Sequence, residues 1–149
     1  MSNSETTSIS LGRGVAAGLV GTGVMTAFQR FVEMPLTGRE ESYAPAELAE
    51  KLLPLKPKDE ASRRRVNYVA HFVLGVGWGV ARGAVGRTGL RGPRATLAVF
   101  GAMYSADAVT ATVLGVYHPT EWSALDVAVD VVDKLVLAVA TGVAYEVLE

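Results

Sequence analysis

Among the ionisable side chains that lie within mainly apolar stretches of the chain, six are the residues best suited to chemistry. They are His71, Arg82, Asp107, Asp130, Asp133 and Lys134. Carboxylates combined with a histidine that titrates near neutral pH could relay protons or bind a cation. The same residues could instead form a satisfied polar network that fixes the register of neighbouring helices, which is the more common role of such groups.

The acidic residues of the last apolar stretch follow helical spacing. Asp126, Asp130 and Asp133 share one stripe, and Asp130 precedes Lys134 by four residues, the favourable order for an ion pair within a helix. Asp126 follows Ser123 by three residues, which predicts an acidic capping box at the start of this helix. Asp126, Asp130 and Lys134 are therefore expected to be structural rather than functional.

The remaining ionisable residues lie on other predicted helices. His71 and Arg82 share a stripe of the second apolar stretch, and Asp107 lies near the middle of the third. We expect the stripes to face one another, with Arg82 and Lys134 balancing the carboxylates.

Composition excludes several classes of protein. Half of the 149 residues are hydrophobic, 19% are charged and the net charge is −1, which excludes a disordered chain and a polybasic nucleic-acid binder. Without cysteine there is no disulfide scaffold and no thiol nucleophile. Neither histidine has a second metal ligand at the spacing of a known metal motif, so we expect no metal. No strand is predicted before the Gly-x-Gly sequences, so we expect no phosphate-binding loop and no cofactor. No catalytic residue is predicted, and the balance is against an enzyme.

Four apolar stretches cover 9–29, 66–86, 95–116 and 124–146. Each has 21 to 23 residues, and a helix of that length crosses the roughly 30 Å hydrocarbon core of a bilayer. Charged residues are concentrated between them, above all in the polar loop 30–65. The pattern predicts an all-α fold: a four-helix transmembrane bundle that forms a single integral-membrane domain over 1–149.

The polar loop 30–65 contains one further predicted element. Pro45 can begin a helix and Pro54 ends it, and leucines gather on one side between them. We predict a short amphipathic helix that lies on the membrane surface or caps the bundle.

Glycine is abundant, with 16 residues, and most of it falls inside the apolar stretches. Glycine is costly in a water-soluble helix, whereas in lipid it allows two helices to approach closely. Seven glycines at the spacing of small-residue helix faces are predicted to pack helices together: Gly14, Gly18, Gly21, Gly75, Gly79, Gly83 and Gly101. The same faces could serve a homodimer.

Two alternatives remain open at this point. A soluble bundle of unusually apolar helices would share the periodicity, and a signal peptide cleaved after Ala27 would account for the first stretch but for none of the later ones. The orientation of the termini is not decided, because both sides of the membrane would carry several Lys and Arg residues.

The order of motifs resembles a known family. The sequence GLVGTGVMT at 18–26 is followed by a charged, proline-punctuated segment, and His71-Phe72 then precedes GVGWG at 75–79. This layout resembles the small bacterial inner-membrane proteins of the YagU-like type. The resemblance implies a multi-pass protein of the bacterial cytoplasmic membrane with no assigned reaction and no catalytic residue to carry over.

Two functional hypotheses follow. The first is an accessory or structural membrane protein that acts through its helix faces and the polar loop. The second is a small transporter or a proton or cation pathway built on His71, Arg82, Asp107 and Asp133. The expected partners are the lipid bilayer and either a second copy of the chain or another membrane protein, with no nucleic acid.

Overall fold

The computed structural model describes residues 3–149, which form five helices. The first, α1, is Asn3–Phe28, continued without a break by a π-helical turn at Gln29–Glu33 and a last α-helical turn at Met34–Thr37. The others are α2 (Ala44–Leu52), α3 (Glu60–Gly86), α4 (Gly92–Val113) and α5 (Ala124–Val147), with a 3₁₀ turn at Pro119–Glu121.

The prediction of an all-α fold is confirmed, since residues 3–149 contain no strand. The count is five helices rather than four, because the predicted helix of the polar loop is present as α2. Three predicted bounds were wrong by six residues or more: α1 begins at Asn3 instead of 9 and extends to Thr37 instead of ending at 29, and α3 begins at Glu60 instead of 66. The Asp59 side chain accepts a hydrogen bond from the Ser62 backbone N–H and so caps the N-terminus of α3. The helix therefore begins six residues before the predicted start.

Three helices are long and apolar enough to cross a membrane: Thr7–Thr37, Glu60–Gly86 and Gly92–Val113. The prediction of four spans therefore holds for three by length and composition. The exception is α5, whose first half carries Asp126, Asp130, Asp133 and Lys134 and leaves too short an uncharged stretch.

The four long helices run up and down in turn. Here α1 packs against both α3 and α5, while α4 packs against α5 and α3. The approach of α1 to α3 is close because glycines meet glycines: a Cβ on Gly14 would lie 2.6 Å from the Gly79 carbonyl oxygen, and one on Gly18 would lie 2.6 Å from that of Gly75. These positions accept no side chain, as expected for a small-residue interface.

The other predicted packing glycines divide into two groups. Gly83 faces the Ser10 carbonyl oxygen, which would lie 2.8 Å from an added Cβ, and Gly21 faces Thr141 of α5. Gly101 differs, because an added Cβ would meet nothing within 4 Å. Gly101 therefore packs against no part of residues 3–149, contrary to its prediction as a contact within the bundle.

The centre of the bundle holds a small apolar cluster. Its buried members are Met25, Met103, Leu137 and Ala138, and Trp78, Phe100 and Val136 pack against them. Polar side chains lie between the helices on both sides of this cluster. The larger polar region lies at the C-terminal end of α1.

Candidate functional site

A cavity of about 640 Å³ opens into the bundle at the end where α1 finishes and where α3 and α5 begin. Its floor includes Met25, Trp78 and Leu137, which belong to the central apolar cluster or pack on it. Its outer side is covered by residues 39–48 and by the loop after α4. We call this cavity the vestibule.

The vestibule wall is acidic. Eight carboxylates line it: Glu33, Glu40, Glu41, Glu47, Asp107, Asp126, Asp130 and Asp133. Three cationic side chains line it, Arg30, Arg39 and Lys134, and His71 lines it as well. The wall therefore favours a positively charged occupant.

Asp133 is the least exposed of the acids that line the vestibule. Its Oδ2 accepts a hydrogen bond from Gln29 Nε2 at 2.7 Å, and this amide joins α1 to α5. The residue is only 7% exposed, and Oδ1 is buried with no hydrogen-bond partner among residues 3–149. A buried carboxylate oxygen without a donor is costly, which marks this atom as a place for a ligand donor.

The π-helical turn of α1 supplies two of the polar groups. Gln29 begins this turn and Glu33 ends it, and a π turn inserted in an α-helix is frequent at functional sites. Glu33 is 9% exposed and accepts a hydrogen bond from the Thr37 hydroxyl at 2.9 Å. The sequence analysis missed both residues. The only available signal was a pair of polar residues four apart directly after the first apolar stretch.

Lys134 is held inside the wall by an acid and two aromatic rings. It forms the predicted ion pair with Asp130, and its Nζ lies 5.2 Å from the Tyr117 ring centroid and 5.5 Å from that of Tyr104. Nζ also donates to the Tyr117 hydroxyl at 3.3 Å, and that hydroxyl donates to Asp130 at 3.3 Å. Burial raises the pKa of Tyr117, and the Asp130 charge raises it further, so the phenol stays protonated.

Asp107 and His71 face the vestibule from the remaining two helices. Asp107 of α4 is half-buried and makes no hydrogen bond or ion pair with residues 3–149. The Nε2 atom of His71 on α3 is buried, and no described residue forms a hydrogen bond with it. The structure thus brings five of the six predicted polar-core residues to one cavity.

Arg82 does not join them. It lies nearer the opposite end of the bundle, where it is 1% exposed and donates to Glu146 Oε1 at 3.0 Å. Its guanidinium carbon lies 4.6 Å from the Tyr145 ring centroid. The expectation that Arg82 balances the vestibule carboxylates was wrong. Arg82 follows His71 by three helical turns, about 16 Å along the axis, so the two face different levels of the bundle.

Residues 38–53, which we call the cover segment, are fixed over the vestibule by polar contacts. Asn67 of α3 accepts a hydrogen bond from the Ala46 backbone N–H at 3.1 Å and donates to the Ser42 carbonyl oxygen at 2.9 Å. Arg39 pairs with Asp126 at the start of α5. Asp126 also completes the predicted capping box with Ser123.

The arrangement suits an organic or diffuse positive charge better than a tightly coordinated metal ion. Within residues 3–149, no three His, Cys, Asp or Glu side chains are close enough together to hold a metal. The carboxylates are instead distributed around the wall, which Trp78 and Tyr117 also line.

In comparisons with known proteins, no family model, no curated protein and no solved structure matched this chain.

Proposed function

We propose that this chain is a multi-pass protein of the bacterial cytoplasmic membrane that binds a small cationic solute in its vestibule. The observation that carries the proposal is the buried Oδ1 of Asp133, which has no partner in the described part of the chain and lines a cavity with a large excess of carboxylates. A cationic donor would satisfy this atom and offset the excess charge at the same time.

A four-span arrangement, with α5 as the fourth, is part of the proposal. The two charges nearest the middle of α5, Asp133 and Lys134, point inward, since they are 7% and 6% exposed. Its outward face is apolar, with exposed residues that include Val132, Leu135, Val139 and Val143. A helix with this distribution is compatible with lipid on one side and a polar cavity on the other. The resemblance to YagU-like proteins supports the bacterial membrane.

Binding from one side is favoured over a continuous pore. The vestibule ends on Met25, Trp78 and Leu137, and the cluster behind them is apolar. A charged solute that entered from the cover-segment side would meet a barrier at this level.

An accessory or structural role is a second candidate, and one observation favours it. Six of the seven predicted packing glycines lie against other parts of the chain, so they are not available to a partner. Gly101 is the exception, and it is exposed on α4 together with Ser105. A partner helix could approach α4 closely there. Replacement of Gly101 by Leu would then weaken the association of copies or of a partner in a cross-linking assay.

Intrinsic fluorescence tests the cation-binding proposal directly, because both tryptophans, Trp78 and Trp122, line the vestibule. The detergent-purified chain is titrated with alkylammonium ions and with alkyl carboxylates of the same length. We expect a saturable change with the ammonium ions only, and weaker binding in the Asp133→Asn variant.

The matched control is Glu60→Gln, which removes a carboxylate that is 80% exposed and lies outside the vestibule. It should bind as the natural chain does. Equal responses to ammonium and carboxylate ions, or no response to either, would contradict the proposal.

A further inference from the structure

The carboxylates of the vestibule are spread over its wall, and what their placement implies about the bound cation rests on the proposed function. They come from five parts of the chain: the end of α1, the connection after it, α2, α4 and α5. On α5 alone, Asp126 and Asp133 are separated by about 10 Å along the helix axis. A compact ion would reach one of these groups and leave the others unpaired.

Part of the acidic wall is already neutralised within the chain. Arg39 pairs with Asp126 and lies 3.8 Å from Glu33, while Lys134 pairs with Asp130. Two acids on different helices form no ion pair with residues 3–149. Asp107 has no ion pair with residues 3–149, and Asp133 has only the neutral amide of Gln29. A second positive charge on the ligand would therefore find a second acid.

The apolar part of the vestibule wall suits an alkyl chain. Leu74, Trp78 and Leu137 line the same cavity, so methylene groups that join two amines would contact apolar and aromatic surface. Cations also bind favourably over aromatic faces, with Trp the best of them.

The chain itself provides a model of how an alkylammonium group is held here. The Lys134 ammonium group contacts the Asp130 carboxylate and lies over the rings of Tyr104 and Tyr117. Its butyl stem is buried with it, since the whole side chain is only 7% exposed. The vestibule wall thus accommodates a primary amine on a four-carbon chain.

We propose that the vestibule binds a linear aliphatic polyamine, with one ammonium group donating to Asp133 Oδ1 and another pairing with Asp107. The alkyl segments lie along Trp78 and Leu74. The spread of the carboxylates over five parts of the chain selects against single metal ions, and their number selects against monoamines.

The test is isothermal titration calorimetry on the full chain in detergent at fixed ionic strength. The ligands are n-butylamine, putrescine and spermidine, which add one amine at a time, and Mg²⁺ as a compact dication. We expect affinity to rise along the amine series, with spermidine bound about tenfold or more tightly than n-butylamine and more tightly than Mg²⁺, because each added charge-assisted hydrogen bond contributes.

Variants identify the acids. Asp133→Asn and Asp107→Asn should each weaken spermidine binding about tenfold, while their effect on n-butylamine is smaller. Glu60→Gln should leave both affinities within about twofold. Asp107 makes no hydrogen bond within the described chain, so its variant keeps the test valid even when Asp133→Asn fails to fold.

The outcomes separate this inference from the proposed function. Equal affinity for all three amines would overturn the polyamine assignment and leave cation binding intact. Tighter binding of Mg²⁺ than of spermidine would overturn it in favour of a compact ion. Absence of binding by every cation would overturn both proposals.

Discussion

Gly14 of α1 lies directly against Gly79 of α3, so that a Cβ on Gly14 would be 2.6 Å from the Gly79 carbonyl oxygen. The two backbones are in contact with no side chain between them. Gly18 and Gly75 repeat the relationship one turn further along. This run of contacts sets the separation of α1 and α3, and it thereby sets the width of the vestibule that lies beyond it.

The first prediction concerns this contact. Gly79→Ala should lower the free energy of unfolding by about 1–3 kcal/mol, because the added methyl group must force α1 and α3 apart. Gly101→Ala is the matched control, since its methyl group would meet nothing within 4 Å. It should not lower the free energy of unfolding, and the higher helix propensity of Ala is expected to raise it by up to about 1 kcal/mol. Thermal unfolding in detergent, followed by circular dichroism, measures both. Equal losses would show that the contact does not limit the packing.

The glycine contacts were predictable from sequence because small-residue spacing marks a helix face, and a face that accepts no side chain must meet another backbone. The same spacing could not say which face meets which partner. Gly101 has the spacing and no neighbour, because helical periodicity does not encode the rotation of α4 about its own axis.

The candidate site was predictable in part for a similar reason. Asp130 and Lys134 are four residues apart, so their ion pair is local and follows from helix geometry alone. The bond between Gln29 and Asp133 joins residues 104 positions apart and depends on a π turn that no residue pattern announces. The predicted pairing of Arg82 with the vestibule carboxylates was wrong because helical periodicity does not give the relative positions of two helices along the bundle axis.

The second prediction concerns Arg82 and Glu146. Glu146→Gln should lower the free energy of unfolding by about 1–3 kcal/mol, because it leaves the guanidinium of Arg82 buried without a carboxylate. This expected loss is smaller than for a fully buried ion pair, since the Glu146 side chain is 41% exposed. Adding Arg82→Met to this variant should recover part of the loss, as measured by a double-mutant cycle.

The exposed pair between Arg91 and Glu149, with an N–O distance of 2.9 Å, is the control for this cycle. The Arg91 side chain is 72% exposed, so Glu149→Gln should change stability by less than about 1 kcal/mol. The burial argument fails if the two Glu→Gln variants are equally stable.

The third prediction is a dependence of stability on pH that arises from Tyr117. Burial raises the pKa of this phenol above the value of about 10 that it has in an unfolded chain. As pH rises, the unfolded chain therefore loses this proton first, and the folded state holds it. The stabilisation is complete below about pH 10 and is progressively lost above it.

Tyr117→Phe removes the ionisation and keeps the ring. The free energy of unfolding should consequently fall less steeply above about pH 10 in Tyr117→Phe than in the natural chain. The other four of the five tyrosines are common to both proteins, so their titration cancels in the comparison. Denaturant titrations at a series of pH values give the two slopes, and parallel slopes would contradict the assignment.

The fourth prediction concerns Asn67, which fixes the cover segment to α3. Its side chain is 4% exposed and serves as acceptor for the Ala46 N–H and as donor to the Ser42 carbonyl oxygen. Asn67→Ala should cost about 1–3 kcal/mol locally, because both backbone groups lose a buried partner. The effect is expected in the cover segment rather than in the bundle, so residues 38–53 should become more sensitive to limited proteolysis while the thermal midpoint changes little.

Asn67→Asp distinguishes the two bonds. A carboxylate still accepts from the Ala46 N–H, but it cannot donate to the Ser42 carbonyl oxygen. Its proteolysis rate should therefore fall between those of the natural chain and of Asn67→Ala. Because the cover segment lines the vestibule, faster opening should also accelerate the dissociation of a bound cation, which stopped-flow fluorescence of Trp78 and Trp122 can follow. An unchanged cleavage rate in Asn67→Ala would mean that the remaining ion pairs, Arg39 with Asp126 and Arg63 with Glu47 and Glu50, hold the segment without Asn67.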